Sequence, residues 1–504
     1  MNSRRIAGGL LVVFVALIWL LMPAQGVSAP AAPPNAAGEI RIVGLLPPVE
    51  VSAKGGTDWI FTQTGQVLKP GYRVRTGTNS HVVLRWPDDS TVRFGELTEV
   101  EILPPRAQSA ESGLHLFNGI FSFFHPRKRS DLYTISRGAV AGIKGTEFVM
   151  RVDTVNNIER TTLYVIDGSV ELTNEFGAVS VNNGQEAVAN VGQAPELLTA
   201  GFNANNILQW CFYYPAVLDL RDLPLAASEQ QALAGSLAAY RSGDLLAALA
   251  QYPAGRAPAT DAERIYYAAL LLSVGQGSKT EATLATSPAN AQERLARLAT
   301  ALRQLIAAVK RQPTPSSTKA LATVDQLSTE LLAASYYEQS RALGDASLKT
   351  ALDLAKRAVT NSPEFSFAWA RVAELEFSFG HIREAMDALD RSLALAPRNA
   401  EALALKGFLL AARNKPREAI DWFNRAIAVD SGLGNAWLGR GLCRIRKGDA
   451  NAGREDLLIA AALEPQRSLL RSYLGKAYGD YGDKDRAVHE LDLAKRLDSA
   501  DPTP

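Results

Sequence analysis

Cysteine is almost missing from this sequence: its 504 residues include only Cys211 and Cys443. They lie far apart and lack the close spacing of zinc ligands, so they provide neither a disulfide framework nor a thiolate metal site. Histidine is nearly as scarce, and its five positions (His81, His115, His125, His381, His489) show no pair at metal-ligand spacing. An excess of charge is lacking too, with 53 Lys plus Arg against 52 Asp plus Glu. The balance holds along the chain: residues 30–200 have 15 basic and 18 acidic residues, and the chain beyond has 36 and 34. Nucleic acid is therefore not an expected partner, because phosphate binding needs clustered cations to release counterions. With 47% of its residues apolar, the chain is no disordered tail and can bury sizeable cores.

One long apolar run exists, Ile6 to Met22, behind Arg4 and Arg5 and ahead of Val27-Ser28-Ala29. Cationic start, apolar centre and small-x-small end are the three elements of a secretory signal, with cleavage expected after Ala29. The run is also close to the length of a membrane span, so an inner-membrane anchor through residues 6–22 stays open. Either way the rest of the chain is expected on the periplasmic side.

After a Pro/Ala linker (residues 30–44), residues 45–200 alternate apolar and polar positions, with Gly, Asn and Asp punctuation. Val82–Trp86, the turn Pro87-Asp88-Asp89-Ser90 and Thr91–Phe94 predict a hairpin, and Leu163–Ile166, Asp167-Gly168 and Ser169–Leu172 predict another. Phe117, Phe121 and Phe123 are expected on one strand face in the core. An aromatic connector follows (201–225), around Trp210-Cys211-Phe212-Tyr213-Tyr214, and is expected to dock on a neighbouring domain. From there the composition turns to Ala, Leu, Arg and Glu with helical periodicity, predicting helices over 226–331 and 332–365 and on to 501.

Four units of 34 residues run from 366 to 501. Small residues recur at Ala373, Gly407, Gly441 and Gly475, and again at Ala385, Ala419, Gly453 and Ala487, while Pro397, Ser431, Pro465 and Ser499 follow the second helix. Small residues permit close helix approach, and Pro or Ser stops a helix. With Trp369 and Trp437 at the fourth position and Tyr478 at the eleventh, the pattern resembles the tetratricopeptide (TPR) repeat. A degenerate unit precedes it around Ala351, Ala358 and Pro363. The resemblance implies an α-solenoid whose inner wall carries Phe367, Arg371, Glu374 and Phe377, then Leu405 and Phe408, then Leu438, Leu442 and Arg446, then Tyr473, Lys476 and Asp480. An apolar groove of this kind suits an extended segment or an amphipathic helix. Packing of the same residues against earlier helices of the chain is the alternative. The last helix is expected to present Asp483, Lys484, Arg486, Glu490, Lys495 and Arg496 outward.

Gly71–Gly77, Asp88–Arg93 and Gly142-Ile143-Lys144-Gly145-Thr146-Glu147-Phe148, in that order, resemble the FecR-like domain. Val165–Val170 and Asn183–Ala187 agree with its closing strands. The resemblance implies an extracytoplasmic all-β module that contacts protein or envelope ligands. Only five residues precede the apolar run, so sigma-factor control is not implied. Gly142 and Gly145 are read as permitting a tight turn or close strand approach, and Glu147 as accepting backbone N–H bonds; a ligand site around Gly142, Gly145, Thr146, Glu147 and Phe148 is the alternative.

Catalytic patterns fail in context. Ser316-Ser317-Thr318-Lys319 lacks its partner motifs, and Gly432-x-Gly434 lacks a preceding strand. No enzyme activity, metal or cofactor is expected. The expectation is a multidomain α and β chain, an all-β FecR-like domain followed by an α-solenoid of TPR hairpins. It would serve as an exported protein-binding scaffold that docks to the envelope and recruits a protein or peptide partner. An envelope signal-sensing subunit acting on a membrane protein, and a peptidoglycan or glycan binder, are the alternatives.

Overall fold

A computed structural model describes residues 39–498 except 79, 89, 105–111, 125–131, 144–146, 156, 199–213, 286–292, 311–325, 341–344 and 466. Two compact units emerge among the described residues: 214–453, and 39–198 together with Arg454–Leu497. The signal segment, and most of the aromatic connector, fall outside the described residues.

In the second unit seventeen strands, β1 (Ile40–Leu46) to β17 (Glu196–Leu197), build two layers. Sheet A runs β4 (Val67–Leu68), β1, β6 (His81–Arg85), β7 (Thr91–Phe94), β9 (Ser112–Phe124), β12 (Glu147–Val155), β13 (Ile158–Asp167), β16 (Glu186–Asn190), β17. Sheet B runs β3 (Ile60–Phe61), β2 (Val49–Ser52), β5 (Arg73–Thr76), β8 (Glu99–Leu103), β9, β10 (Leu132–Ile135), β11 (Val140–Ile143), β14 (Ser169–Asn174), β15 (Gly177–Asn182). Alternation puts Val82, Leu84, Val92, Phe94, Phe121, Phe123, Phe148 and Met150 into the core between them.

Strand β9 belongs to both sheets, and Gly119 is where it changes. That residue has φ +98° and lies against the backbone of Thr98, so only glycine fits. The irregularity reverses the side-chain phase: Phe121 and Phe123 point into the core, whereas Phe117 is half-exposed on the outer face of sheet B, contrary to the single-face expectation. The hairpin at residues 82–94 forms, with Leu84 opposite Val92, and Asp88 closes its turn by accepting from the Ser90 amide at 3.0 Å. Asp167-Gly168 forms no hairpin. β13 pairs in sheet A and β14 in sheet B, so Gly168 (φ +88°) turns a corner between layers, because each strand already has its two partners.

Sixteen α-helices lie among the described residues. The first unit holds α1 (Ala227–Ala232), α2 (Ala234–Arg241), α3 (Leu245–Ala250), α4 (Asp261–Ser273), α5 (Gly277–Ala285), α6 (Glu293–Val309), α7 (Ser328–Ser340) and α8 (Asp345–Asn361). The 34-residue hairpins follow: α9 (Ser366–Ser378) with α10 (Ile382–Leu395), α11 (Ala400–Ala412) with α12 (Pro416–Val429), then α13 (Gly434–Arg446). α14 (Ala450–Leu463) begins in the first unit and ends in the second, which also holds the hairpin of α15 (Ser468–Asp480) and α16 (Lys484–Leu497). Among the described residues, no helix is long and apolar enough to cross a membrane.

The repeat period has physical causes beyond the small-residue columns. Gly380, Asn414, Gly448 and Gly482 stand 34 residues apart, all with φ between +61° and +91°, ending each first helix in the left-handed conformation that glycine and asparagine tolerate. A Cβ on Gly407 would come within 2.7 Å of the Phe423 ring, so α11 and α12 approach because that atom is absent. Successive repeats are tied by one recurring bond: Lys406 donates to Asp390 at 2.6 Å, and Arg440, 34 residues on, donates to Asn424 at 2.8 Å.

Candidate functional site: a buried ion cluster under the C-terminal hairpin

The face of sheet A away from the core carries Arg85, Arg93, Phe124, Glu147 and Asp167, and the last helices meet it there. Arg93 donates to the carbonyl of Leu463 at 2.6 Å, and Arg85 pairs with Glu455 at 2.8 Å. At the centre, Arg471 on α15 reaches both carboxylate oxygens of Glu147, its Nη1 lying 2.6 Å from Oε1 and its Nη2 pairing with Oε2. The same Nη1 lies 3.4 Å from Glu490 on α16, and the guanidinium rests 4.5 Å over the Phe124 ring. None of the three ionic side chains is more than 1% exposed. At the rim Asp167, paired with Glu147 across β12 and β13, takes Arg496 at 2.5 Å and has the ring of His489 at 3.4 Å.

Two buried carboxyls share one guanidinium, so full ionisation leaves an uncompensated charge in a dry place. Burial pushes Glu147 up to about 8, against the pull of Arg471, and Glu490 adds to the push. Burial raises Glu490 as well, again opposed by Arg471. Both carboxyls are thus held above the ordinary carboxylate range, and neither titrates independently of the other.

Glu147 was expected to accept backbone N–H bonds; it accepts an arginine from 324 residues away instead. Phe148 is fully buried in the core. Gly142 lies in β11 between Tyr133 and Glu171, and its nearest neighbour stands at ordinary distance, so no close approach needs glycine there. Gly145 and Thr146 lie outside the described residues. Glu490 and Arg496, expected to face outward, turn to this cluster.

Arg471 was not anticipated, yet a signal for it exists. Counting by 34 from Trp369 and Trp437, the fourth position of the last unit is Arg471. The indole N–H groups of Trp369 and Trp437 donate to the carbonyls of Pro363 and Ser431, each six residues earlier, at 2.8 and 2.9 Å. Arg471 makes the same bond, Nε and Nη2 donating to the carbonyl of Pro465 at 3.0 and 2.8 Å, and its two terminal nitrogens also reach Glu147 on the sheet. The column reads Trp369, Leu403, Trp437 and Arg471, so a cation stands in it only in the last of the four units.

Among the expected wall residues, Phe367, Arg371, Phe377, Leu405, Phe408, Leu438 and Tyr473 are buried. In the first unit the earlier helices lie against the first of them: the Phe367 ring is 5.3 Å from that of Tyr240 on α2. Arg398 pairs with Asp244 at 2.7 Å, and Gly243 touches Asn399. Arg371 donates to the Ser335 carbonyl and hydroxyl and to Glu374, with its guanidinium 4.0 Å over the Tyr336 ring. Burial, then the negative field of Glu374, push the nearby Glu401 up to about 8. Glu374, Leu442, Arg446 and Lys476 are half-buried and Asp480 is exposed; Arg446 donates to Asn414 at 2.7 Å. Tyr214 and Pro215, at the end of the connector, are buried. A further group sits on the outer face of sheet B, where Arg73 and Arg75 lie over the Trp59 ring at 5.4 and 4.3 Å, and Arg73 over Phe117 at 4.9 Å.

The FecR protein family matches residues 72–171. No curated protein matches the chain. Similar solved structures include TTC0263, a thermophilic TPR protein in Thermus thermophilus, at 21% identity over 34% of this chain and 98% of that one, with TM-score 0.31. PilW, a type IV pilus biogenesis factor, has 20% identity over 34% of this chain and 79% of its own, with TM-score 0.30. MamA of Desulfovibrio magneticus RS-1 has 18% identity, covering 31% and 88%, with TM-score 0.26. The FecR match thus falls on the β-strands of the second unit, and the helical hairpins with the 34-residue period lie beyond it in the chain.

Proposed function

We propose that this chain is an exported, non-enzymatic scaffold of the cell envelope, in which the helical hairpins recruit a protein partner and the FecR-type sheets provide a docking or sensing module. The observation that carries this reading is the repeated hairpin stack of the first unit. Regular capping and inter-repeat bonds make it a regular array, and Glu374, Leu442 and Arg446 stay partly accessible on it. The apolar run at residues 6–22 supports export. The buried wall residues narrow the contact to the accessible positions, with Lys476 and Asp480 as the corresponding ones on the C-terminal hairpin.

A photo-crosslinking residue placed at Leu442, and as control at the exposed Val488, tests the recruiting role in intact cells. One protein should be captured reproducibly from Leu442 and not from Val488. Equal capture from both sites, or none from either, removes the recruiting role. Fractionation of the same cells tests export, which recovery of the chain in the cytoplasm alone would overturn.

The outer face of sheet B favours a second reading, glycan contact. Trp59 and Phe117 are partly exposed rings flanked by Arg73, Arg75, Glu50 and Glu99, a mixture suited to stacking and hydrogen bonding with a sugar chain. Co-sedimentation with purified peptidoglycan that is lost in Trp59→Ala would support it; failure to sediment at low salt would remove it.

A further inference from the structure

The cluster beneath the C-terminal hairpin has an odd charge count. Facing Glu147 are Arg471 from α15, Glu490 from α16, Asp167 from β13 and the ring of Phe124 from β9; Asp167 is faced in turn by His489 and Arg496 of α16. Three carboxyls therefore meet two arginines and one histidine. Arg496 is half-exposed and serves Asp167, so at the buried centre a single guanidinium answers to two carboxyls. An array built only to hold the hairpin down would use one pair, or none, because an excess buried charge opposes docking. Placing Glu147 at the start of β12 and Glu490 on the second helix makes the hairpin contact itself the place where a proton is needed.

We propose that the C-terminal hairpin, α15 with α16, is a proton-dependent clasp: it lies on sheet A while one carboxyl of the Glu147–Glu490 pair carries a proton, and it loosens when both are ionised. Release uncovers Phe124 and Glu147 on the sheet and Arg471 and Glu490 on the hairpin, so it offers a surface that the docked state hides. This inference concerns the chain alone and stands apart from any recruited partner.

The sign follows from linkage. Lifted off, the two carboxyls are solvated and titrate in the ordinary range near 4.5; docked, burial holds Glu147 up to about 8 and Glu490 above its ordinary range. Docking therefore takes up a proton between those limits. It is strongest in acid, weakens by about tenfold per pH unit across the window, and reaches its minimum above the docked value.

Hydrogen exchange of the full chain between pH 6 and 8, corrected for the intrinsic pH dependence of amide exchange, reads the opening of residues 468–497 directly. Protection there should fall by up to about 100-fold over the two units, while α11 stays level. Glu147→Gln mimics the protonated carboxyl and should flatten the dependence, as should Glu490→Gln, which stands in if the first variant folds poorly. Histidine ordinarily titrates close to neutrality, so His489→Gln separates its share, and the dependence should survive in that variant. The clasp is overturned if wild-type protection is level across the range, if both glutamine variants keep the wild-type slope, or if His489→Gln abolishes it.

Discussion

Replacing Arg471 by methionine removes the charge and keeps much of the stem, and the structure sets how large the loss should be. In the docked state one carboxyl of the pair already holds a proton; without the guanidinium the other must be protonated too. Holding it neutral at pH 7 against an ordinary value of 4.5 costs about 3 kcal/mol, at about 1.4 kcal/mol per unit. Loss of the cation from the Phe124 face adds about 1 kcal/mol. The deficit of roughly 4 kcal/mol at pH 7 falls within the range for orphaning a buried ionic partner. At pH 5 the protonation cost drops to under about 1 kcal/mol, so the deficit should shrink to about 2 kcal/mol. Pulse proteolysis of the full chain in urea, following fragments from residues 39–198 and 468–497, measures both values. A deficit below about 1 kcal/mol, or one that is the same at both pH values, would refute the account of the cluster.

Other substitutions probe the remaining architecture. Gly119→Ala forces φ +98° on an alanine and drives its Cβ into Thr98, and should cost about 3 kcal/mol in the β unit by urea denaturation. Phe367→Ala empties the place beside Tyr240 and should lose about 3 kcal/mol or more, read as a lower melting temperature of the helical unit. Gly407→Leu presses on the Phe423 ring and should separate α11 from α12, seen as faster amide exchange confined to those helices.

Much of the fold was legible because local pattern decides it. Alternation gives the strands, and the 34-residue columns give the hairpins. What escaped was set by groups that no local window contains. Phe117 shares the spacing of Phe121 and Phe123, but the turn at Gly119 reverses its side, and the contact that requires glycine there comes from Thr98, just before β8. Asp167-Gly168 has the residues of a hairpin turn and makes a corner, because the strands on either side already belong to different layers. Wall positions such as Phe367 were taken from the repeat alone, whereas Tyr240, which meets it, lies 127 positions earlier in the chain. Glu147 and Arg471 form the longest-range case. Neither neighbourhood names the other, although the missing indole at position 471 was visible in the repeat alignment.

The arginine in that column, where the second repeat has Leu403, also sets the last repeat apart from those before it. Between earlier repeats a polar bond recurs, from Lys406 to Asp390 and from Arg440 to Asn424; the next members of these columns are Leu474 and Leu458, both buried. The polar tie is thus replaced by apolar packing in the repeat that belongs with the sheets. The indole rings of the first and third repeats, each with an arginine over its face, give way to one buried arginine that keeps the Pro465 carbonyl and takes Glu147. A repeat that packs against something other than another repeat needs an altered face. Here the alteration is toward a β-sheet: an apolar seam fixes the hairpin with little geometric selectivity, and the planar fork of Arg471 on both oxygens of Glu147 supplies the register. Lysine at 471 would keep the charge but not the fork. Arg471→Lys should therefore retain much of the pH dependence while loosening the hairpin, a combination that a purely electrostatic tether would not produce.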